Sequence, residues 1–228
     1  MAPLTLHIGL LLFHEFQWLD AAGPVDYLHN HSHSMISRIG VAQSVVDKAP
    51  IIHWYYISSD LTPVQASSGP PQLPTHTYDD CPDLDYIIVP GPDPTVPLPK
   101  GCATFLQKRF AETKLKAILT VCTGSMAIAQ AGILDGYHVC SNKWMLRIMA
   151  GAGGLNKKVT WIGDKRWHID RKVWSAAGVT AGIDLAAEFA RQHFAPEIVE
   201  VAKDISEYES NPAQPDPFAR LLEGVDLA

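Results

Sequence analysis

The sequence contains little cysteine, and none of it is arranged as a metal or redox motif. The 228 residues include Cys81, Cys102, Cys122 and Cys140, at wide intervals and without a C-x-x-C pair. That spacing excludes a zinc knuckle and a thioredoxin-type site. A chain of this length also has no need of disulfide staples. We therefore expect reduced thiols in a cytoplasmic protein.

Positive charge and long apolar runs are equally scarce. The net charge is −6 and the basic residues are scattered, so there is no electrostatic basis for binding nucleic acid or an anionic membrane surface. The apolar start at 4–13 lacks a basic lead-in, which predicts a buried strand and not a signal peptide. No run reaches the length of a membrane span. No Gly-x-Gly-x-x-Gly stretch follows this strand, and no cofactor is expected.

What the sequence does contain is an alternation of short apolar runs and helical stretches. The runs at 8–13, 54–57, 86–89 and 118–121 have the β-branched and aromatic character of strands buried on both faces. Helices are predicted at 24–30, 101–113, 123–134, 141–151, 180–194 and 196–209. The pattern predicts an α/β fold, a doubly wound and mostly parallel sheet with helices on both faces. Residues 161–176 alternate around Gly163-Asp164 and Asp170-Arg171, which predicts small antiparallel hairpin strands.

A single domain is predicted. No internal repeat or flexible linker interrupts residues 1–210, whereas Pro212, Pro215 and Pro217 punctuate the segment after them. We therefore expect one α/β domain over 1–210 and an extended C-terminal tail over 211–228.

Cys122 occupies the most informative position in the chain. A short β-type run ends at Val121, Thr123-Gly124-Ser125 follow as a tight turn, and 126–133 is a predicted buried helix. A side chain at such a corner lies above the carboxyl end of a parallel sheet and faces the free N–H groups of the next helix. Those groups favour the thiolate. Alternatively, Cys122 is simply a small buried hydrophobe.

Other strand ends of the predicted sheet meet at the same edge. In open α/β sheets, sites form outside the carboxyl ends of strands, here Phe13-His14-Glu15, Pro90-Gly91-Pro92 and Cys122. Asp20 lies just past the first of them. It is interpreted either as a helix N-cap or as a functional carboxylate.

Two further polar groups are interpreted as structural. His29, His31 and His33 lie in a turn that is expected to be solvated, with no cysteine or acid at ligand spacing, so no metal is predicted. Asp184 and Glu188 lie one turn apart on a predicted amphipathic helix. Both are expected to decorate its polar side.

Several motifs occur in a characteristic order: a first strand ending in Phe13, Asp20-Ala21-Ala22-Gly23-Pro24, Ala66-Ser67-Ser68-Gly69, Val89-Pro90-Gly91, Thr120-Val121-Cys122-Thr123-Gly124-Ser125, and Ala177-Gly178-Val179-Thr180-Ala181-Gly182-Ile183-Asp184. From about residue 6 to 191, this order resembles the ThiJ/PfpI superfamily (class I glutamine amidotransferase-like), and within it the isonitrile (isocyanide) hydratase-like branch. The resemblance implies a flavodoxin-like sandwich and a homodimer. It also implies that Cys122 lies on a nucleophile elbow with Asp20 close to the thiol.

The resemblance further implies a cofactor-free enzyme of the lyase (hydratase) type that acts on a small molecule. The thiol would attack the terminal carbon of an isonitrile, and water would release an N-formyl product from the resulting thioimidate. Asp20 would move the protons. An ionised Asp20 raises the pKa of a neighbouring thiol, so we expect Cys122 and Asp20 to share a proton.

Two departures from the superfamily pattern adjoin the thiol. Thr123 stands where protease-like members have histidine, so peptidase activity is not expected. Thr123 either binds substrate or water, or caps the following helix. Pro92 replaces a common glycine and has no N–H, so an oxyanion site would use the backbone of Gly91 and Thr123.

A third departure is Ser141-Asn142-Lys143-Trp144, where the branch tends to carry a Thr-His-Trp type sequence. Asn142 or Lys143 takes the histidine position. Lys143 either lowers the thiol pKa or acts as an acid, or it starts a surface helix. Two other functions stay open. One is a lyase, isomerase or cyclase that acts by proton transfer on a secondary metabolite, and the other is a non-catalytic thiol sensor or protective protein.

Overall fold

A computed structural model describes residues 4–228 of the chain. The strands are β1 (Thr5–Leu11), β2 (Ile51–Ser58), β3 (His76–Thr77), β4 (Tyr86–Val89), β5 (Ala117–Val121), β6 (His138–Cys140), β7 (Thr160–Ile162), β8 (Trp167–Asp170) and β9 (Val173–Ala176). Seven of them form one sheet in the order β3-β2-β1-β4-β5-β9-β8. The predicted apolar runs correspond to β1, β2, β4 and β5. Strands β4 and β5 lie inside the sheet, and each of their residues is buried.

The sheet is parallel except where β8 runs antiparallel to β9. The predicted doubly wound, mostly parallel α/β fold is confirmed. The hairpin prediction is confirmed for β8 and β9, which turn at Arg171 with a φ of 53°. The hairpin predicted around Gly163-Asp164 is wrong, because β7, which precedes this turn, pairs parallel with β6 in a separate two-stranded sheet. Alternation of apolar and polar residues indicates an extended backbone, but it does not specify which strand that backbone pairs with.

The helices are α1 (Trp18–His29), α2 (His33–Ile36), α3 (Gln43–Val46), α4 (Cys102–Ala111), α5 (Gly124–Ala129), α6 (Lys143–Gly151), α7 (Ala181–His193) and α8 (Pro196–Ser206), with a 3-10 helix at Pro217–Leu222. Helix α1 packs against α7. Gly23 permits this packing, because a Cβ there would lie 2.7 Å from Cγ1 of Ile183. Gly182 permits α7 to approach β5, because a Cβ there would lie 2.7 Å from Cγ1 of Val121. Helix α1 and strand β5 are thereby held close to a common helix.

The C-terminal segment is docked on the domain. Residues 211–228 were expected to be extended, but they include the 3-10 helix, and Arg147 donates a hydrogen bond of 3.0 Å to the Leu221 carbonyl. Just before this helix, the buried Asp216 carboxylate lies 2.6 Å from the Lys143 ammonium. The proline pattern does not reveal such a partner, because the two residues are far apart in sequence. The assignment of 1–210 as the domain body stays a prediction.

Within residues 4–228, no helix combines the length and the apolar character needed to cross a membrane.

Candidate active site

The structure places Cys122 at a sharp corner between β5 and α5. Its φ is +58°, in the left-handed region that a residue with a Cβ seldom adopts. The Cys122 N–H donates to the Ala177 carbonyl at 2.8 Å, and the Ser141 hydroxyl donates to the Cys122 carbonyl at 2.8 Å. A Cβ on Gly124 would lie 2.9 Å from the Pro90 carbonyl oxygen, so glycine is needed where α5 approaches the loop after β4. These contacts hold the strained corner in place.

Asp20 reaches the same corner from helix α1. The N-cap of α1 is Gln17, and Asp20 lies inside the first turn with no exposed surface, so the N-cap interpretation is wrong. Its Oδ2 accepts the Gly91 N–H at 3.0 Å. Its Oδ1 is buried with no nitrogen or oxygen donor against it. A buried carboxyl group with one free oxygen thus lies beside the Cys122 thiol.

Burial changes the protonation of this carboxyl group. It raises the pKa of Asp20 from 3.8 to about 7, although hydrogen bonds with Gly91 and Cys122 act in the opposite direction. Near neutral pH the group is therefore able both to donate and to accept a proton.

The thiol is affected in the same direction. Burial, followed by the charge of Asp20, raises the pKa of Cys122 to about 12, while the Thr123 N–H and the Asn142 side chain lower it in part. The prediction that Cys122 is biased toward the thiolate is wrong. Burial and the neighbouring carboxylate outweigh the N–H groups of the short helix α5. Between about pH 7 and 12, the Cys122–Asp20 pair holds one proton.

Gly91 and the Thr123 hydroxyl make positioning contacts, whereas the Thr123 N–H faces the Cys122 thiol. The assignment of these two residues to an oxyanion site stays a prediction. The Gly91 N–H is occupied by Asp20, and a Cβ at Gly91 would lie 2.9 Å from Asp20 Oδ2. The Thr123 hydroxyl donates to the Pro92 carbonyl at 2.6 Å and makes no capping bond to α5. Thr123 thus ties the elbow to the loop after β4.

Asn142 stands beside the thiol, and Lys143 does not. The Asn142 Oδ1 caps helix α6 by accepting the Met145 N–H at 3.1 Å, so its amide group is left for Cys122. Lys143 is buried against Asp216 and donates to the Lys165 carbonyl at 2.5 Å. Lys143 does begin helix α6, as one interpretation held, but it is buried and not on the surface, and its ammonium contacts Asp216 and the Lys165 carbonyl. Its assignment to the substrate site stays a prediction.

Two polar residues assigned to solvent are buried. Burial lowers the pKa of His31 to about 4, and its Nδ1 lies 2.9 Å from the Tyr27 carbonyl oxygen. Asp184 is buried in an ion pair with Arg166 and also accepts the Asn211 N–H at 2.7 Å. The expectation that these two residues face solvent is therefore wrong. The local sequence pattern shows neither partner, because that of His31 is a backbone carbonyl and that of Asp184 is distant in sequence. Across residues 4–228, no three His, Cys, Asp or Glu side chains are grouped so that they would hold a metal ion.

Ser141 is the position that the sequence did not single out. It adjoins Asn142 in the segment already recognised, but its hydroxyl serves the Cys122 backbone and not the thiol. A serine before a helix cap gives no signal of that partner.

Comparison with known proteins decides the family. The DJ-1/PfpI family model matches residues 7–192. The chain belongs to the DJ-1/PfpI family. The predicted resemblance to the ThiJ/PfpI superfamily is confirmed, and the order of motifs was sufficient to find it.

Relatives within the DJ-1/PfpI family differ in what they do. The chain is 30% identical to an isonitrile hydratase of Pseudomonas putida over 189 residues, which cover 83% of this chain and 72% of that enzyme. It is 29% identical to the HTH-type transcriptional regulator GbdR of Pseudomonas aeruginosa over 82% of this chain, but covers only 46% of the regulator. The crystal structure of a ThiJ/PfpI family protein from Pseudomonas syringae matches with a TM-score of 0.68 and 26% identity, covering 91% of this chain and 77% of that one.

Proposed function

We propose that this protein hydrates isonitriles to N-formyl amides, with Cys122 as nucleophile and Asp20 as the proton-transfer group. The observation that carries the proposal is the buried pair itself. A carboxyl group with a pKa of about 7 lies beside the thiol, and its Oδ1 accepts no hydrogen bond from a nitrogen or oxygen donor. The similarity to isonitrile hydratase supports the same reaction.

An isonitrile requires an acid more than it requires an oxyanion hole. When sulfur adds to the terminal carbon, the electron pair develops on that carbon and must receive a proton, whereas acyl transfer places the charge on oxygen. Here the Gly91 N–H is occupied by Asp20, and Pro92 has no N–H. The Thr123 N–H is then the one backbone donor of the predicted oxyanion site that still faces the thiol, and a positioned carboxyl group stands beside it, which suits the isonitrile.

The steps balance with one thiol, one carboxyl group and one water molecule. Asp20 takes the Cys122 proton as the C–S bond forms and gives it to the isonitrile carbon, which yields a thioimidate. Water then adds to the C=N carbon, with its proton passed through Asp20 to nitrogen. Finally the C–S bond breaks, the hydroxyl proton returns to sulfur, and the N-formyl product leaves.

The test measures cyclohexyl isonitrile loss and N-cyclohexylformamide formation. We expect turnover by the native protein and a loss of at least about 100-fold in Cys122→Ala and Asp20→Asn. Asp26→Asn is the matched control, because Asp26 is an exposed residue of the same helix. No turnover by the native protein would overturn the proposal, and so would full turnover by Cys122→Ala.

The pKa values favour one second candidate, proton transfer without a covalent intermediate. A thiol with a pKa of about 12 is a weak nucleophile, while Asp20 titrates near neutrality. A lyase, isomerase or cyclase would lose activity in Asp20→Asn and keep it in Cys122→Ala. The same high thiol pKa disfavours a redox sensor, which needs the thiolate. The homodimer implied by the family stays a prediction.

A further inference from the structure

The Cys122 thiol faces two hydrogen-bond donors that come from different elements. One is the Thr123 N–H at the start of α5, and the other is the side-chain amide of Asn142 at the start of α6. The Asp20 carboxyl group also lies beside the thiol, and its Oδ1 accepts from no nitrogen or oxygen donor. Because both donors are directed at sulfur, the thiol proton is left to point at Asp20.

The orientation of the Asn142 amide group is fixed by helix α6. Its Oδ1 accepts the Met145 N–H at 3.1 Å, as the N-cap of this helix. A flipped amide group would bring its own NH2 against that N–H and lose the cap bond, so Nδ2 points away from the helix. Nδ2 lies on the side of Gly178, where a Cβ would be 3.6 Å from it. Asn142 is therefore a donor toward the thiol and not an acceptor.

The backbone holds Asn142 against the elbow from two sides. The preceding residue, Ser141, is fully buried and donates to the Cys122 carbonyl at 2.8 Å. On the other side, Gly178 follows Ala177, whose carbonyl accepts the Cys122 N–H at 2.8 Å. Neither bond involves the side chain of Asn142, so a substitution there leaves the elbow in position. The amide group is thus a donor whose place is set by its surroundings, as a group that acts on a reacting atom must be.

The sulfur of Cys122 gains negative charge twice in the proposed reaction. It gives its proton to Asp20 as the C–S bond forms, and it becomes negative again as that bond breaks, before the hydroxyl proton reaches it. A hydrogen bond to a charged atom is about twice as strong as one between neutral groups, so a donor aimed at sulfur stabilises it in both steps. An amide group does not titrate, so Asn142 acts in the same way at every pH and leaves proton transfer to Asp20.

We propose that Asn142 is a further catalytic residue, whose amide N–H donates to the Cys122 sulfur as negative charge develops there during attack and release. Its part in turnover rests on the proposed function, whereas its contact with sulfur is open to a test that requires no isonitrile. This contact is separate from the helix cap that the oxygen of the same side chain makes.

Two variants separate the donor from the cap. Asn142→Ser has no NH2 group but keeps an oxygen that accepts the Met145 N–H, and Asn142→Ala has neither. We expect kcat/KM for cyclohexyl isonitrile to fall about tenfold in both variants, and the urea midpoint to fall, by about 0.4 M, in Asn142→Ala alone. Ser32→Ala is the matched control, because it removes the cap of α2, which contributes no residue to the candidate site. It should keep the native kcat/KM.

Alkylation of Cys122 by iodoacetamide at pH 8 tests the contact with sulfur without turnover. Loss of the donor lowers the fraction of thiolate, so we expect mass spectrometry to show modification about fivefold slower in Asn142→Ser than in the native protein. If the native protein hydrates no isonitrile but this difference is found, the proposed function fails and Asn142 is supported as the donor to sulfur.

Two results would overturn the role of Asn142 and leave the hydratase intact. One is hydration by the native protein together with native rates of both hydration and alkylation in Asn142→Ser. The other is a kcat/KM that falls in Asn142→Ala alone, because the side chain would then act only as the cap of α6.

Discussion

Asp20 is expected to destabilise the folded protein at neutral pH. Because its carboxyl group is fully buried, moving its pKa from 3.8 to about 7 is equivalent to about 4 kcal/mol of the free energy of unfolding. Below about pH 4 the carboxyl group is protonated in both states. Above about pH 7 it is ionised in both, and the folded state bears the cost of a buried charge. The stability of the native protein should therefore fall as pH rises through this window.

Asp20→Asn tests this reasoning directly. Asparagine keeps an acceptor for the Gly91 N–H but does not ionise. Its free energy of unfolding should gain about 2.5 kcal/mol over that of the native protein between pH 5 and pH 8, about 1 M in the urea midpoint. The quantity to measure is the change in the difference between the two proteins, because any constant effect of the substitution cancels.

Asp26→Asn provides the control, as an exposed aspartate on the same helix. Its difference from the native protein should stay nearly constant with pH. The argument is refuted if Asp20→Asn and the native protein respond to pH in parallel, because burial would then not have raised the Asp20 pKa.

Three other predictions follow from the same contacts. The kcat/KM for isonitrile hydration should rise with pH to a plateau above about pH 7, because only ionised Asp20 takes the Cys122 proton; a rate profile that falls over this range would contradict it. Alkylation of Cys122 by iodoacetamide at pH 8 should be slow, and about tenfold faster in Asp20→Asn, where the neighbouring charge that raises the thiol pKa is gone; mass spectrometry measures the modified fraction, and an unchanged rate would remove Asp20 from that role. Lys143→Met should cost about 3–5 kcal/mol of the free energy of unfolding by leaving Asp216 buried and unpaired, and Lys143→Met with Asp216→Leu should recover most of it; urea unfolding that ranks the double variant below the single one would contradict the argument.

The features that the sequence predicted are those set by neighbouring residues. Strands β4 and β5 are continuous apolar runs, and the corner at Cys122 is a local succession of strand, glycine-containing turn and helix. The approximate position of Asp20 came from the family resemblance and not from local pattern. The strands and the corner are thus expressed within a few residues of the chain, whereas Asp20 needed the order of motifs along most of it.

The features that the sequence did not predict depend on distant partners. Asp184 lies on an amphipathic helix, but only the fold brings Arg166 to it, and the same holds for Lys143 and Asp216. The pKa of the Cys122 thiol is high because the thiol is buried and because the Asp20 carboxylate of another helix lies beside it. The local strand–turn–helix geometry predicted a lowered thiol pKa, because it takes account of neither burial nor the carboxylate.

The left-handed backbone at Cys122 has an evolutionary consequence. Glycine, or to a lesser degree asparagine, adopts a φ of +58° more readily than cysteine, so the fold alone gives no reason to keep a thiol at this corner. A descendant that no longer needs the chemistry would gain stability by losing the cysteine. Retention of cysteine at position 122 in a lineage would therefore indicate selection for the reactive thiol. Its replacement by glycine would indicate a copy of the gene that is no longer under that selection.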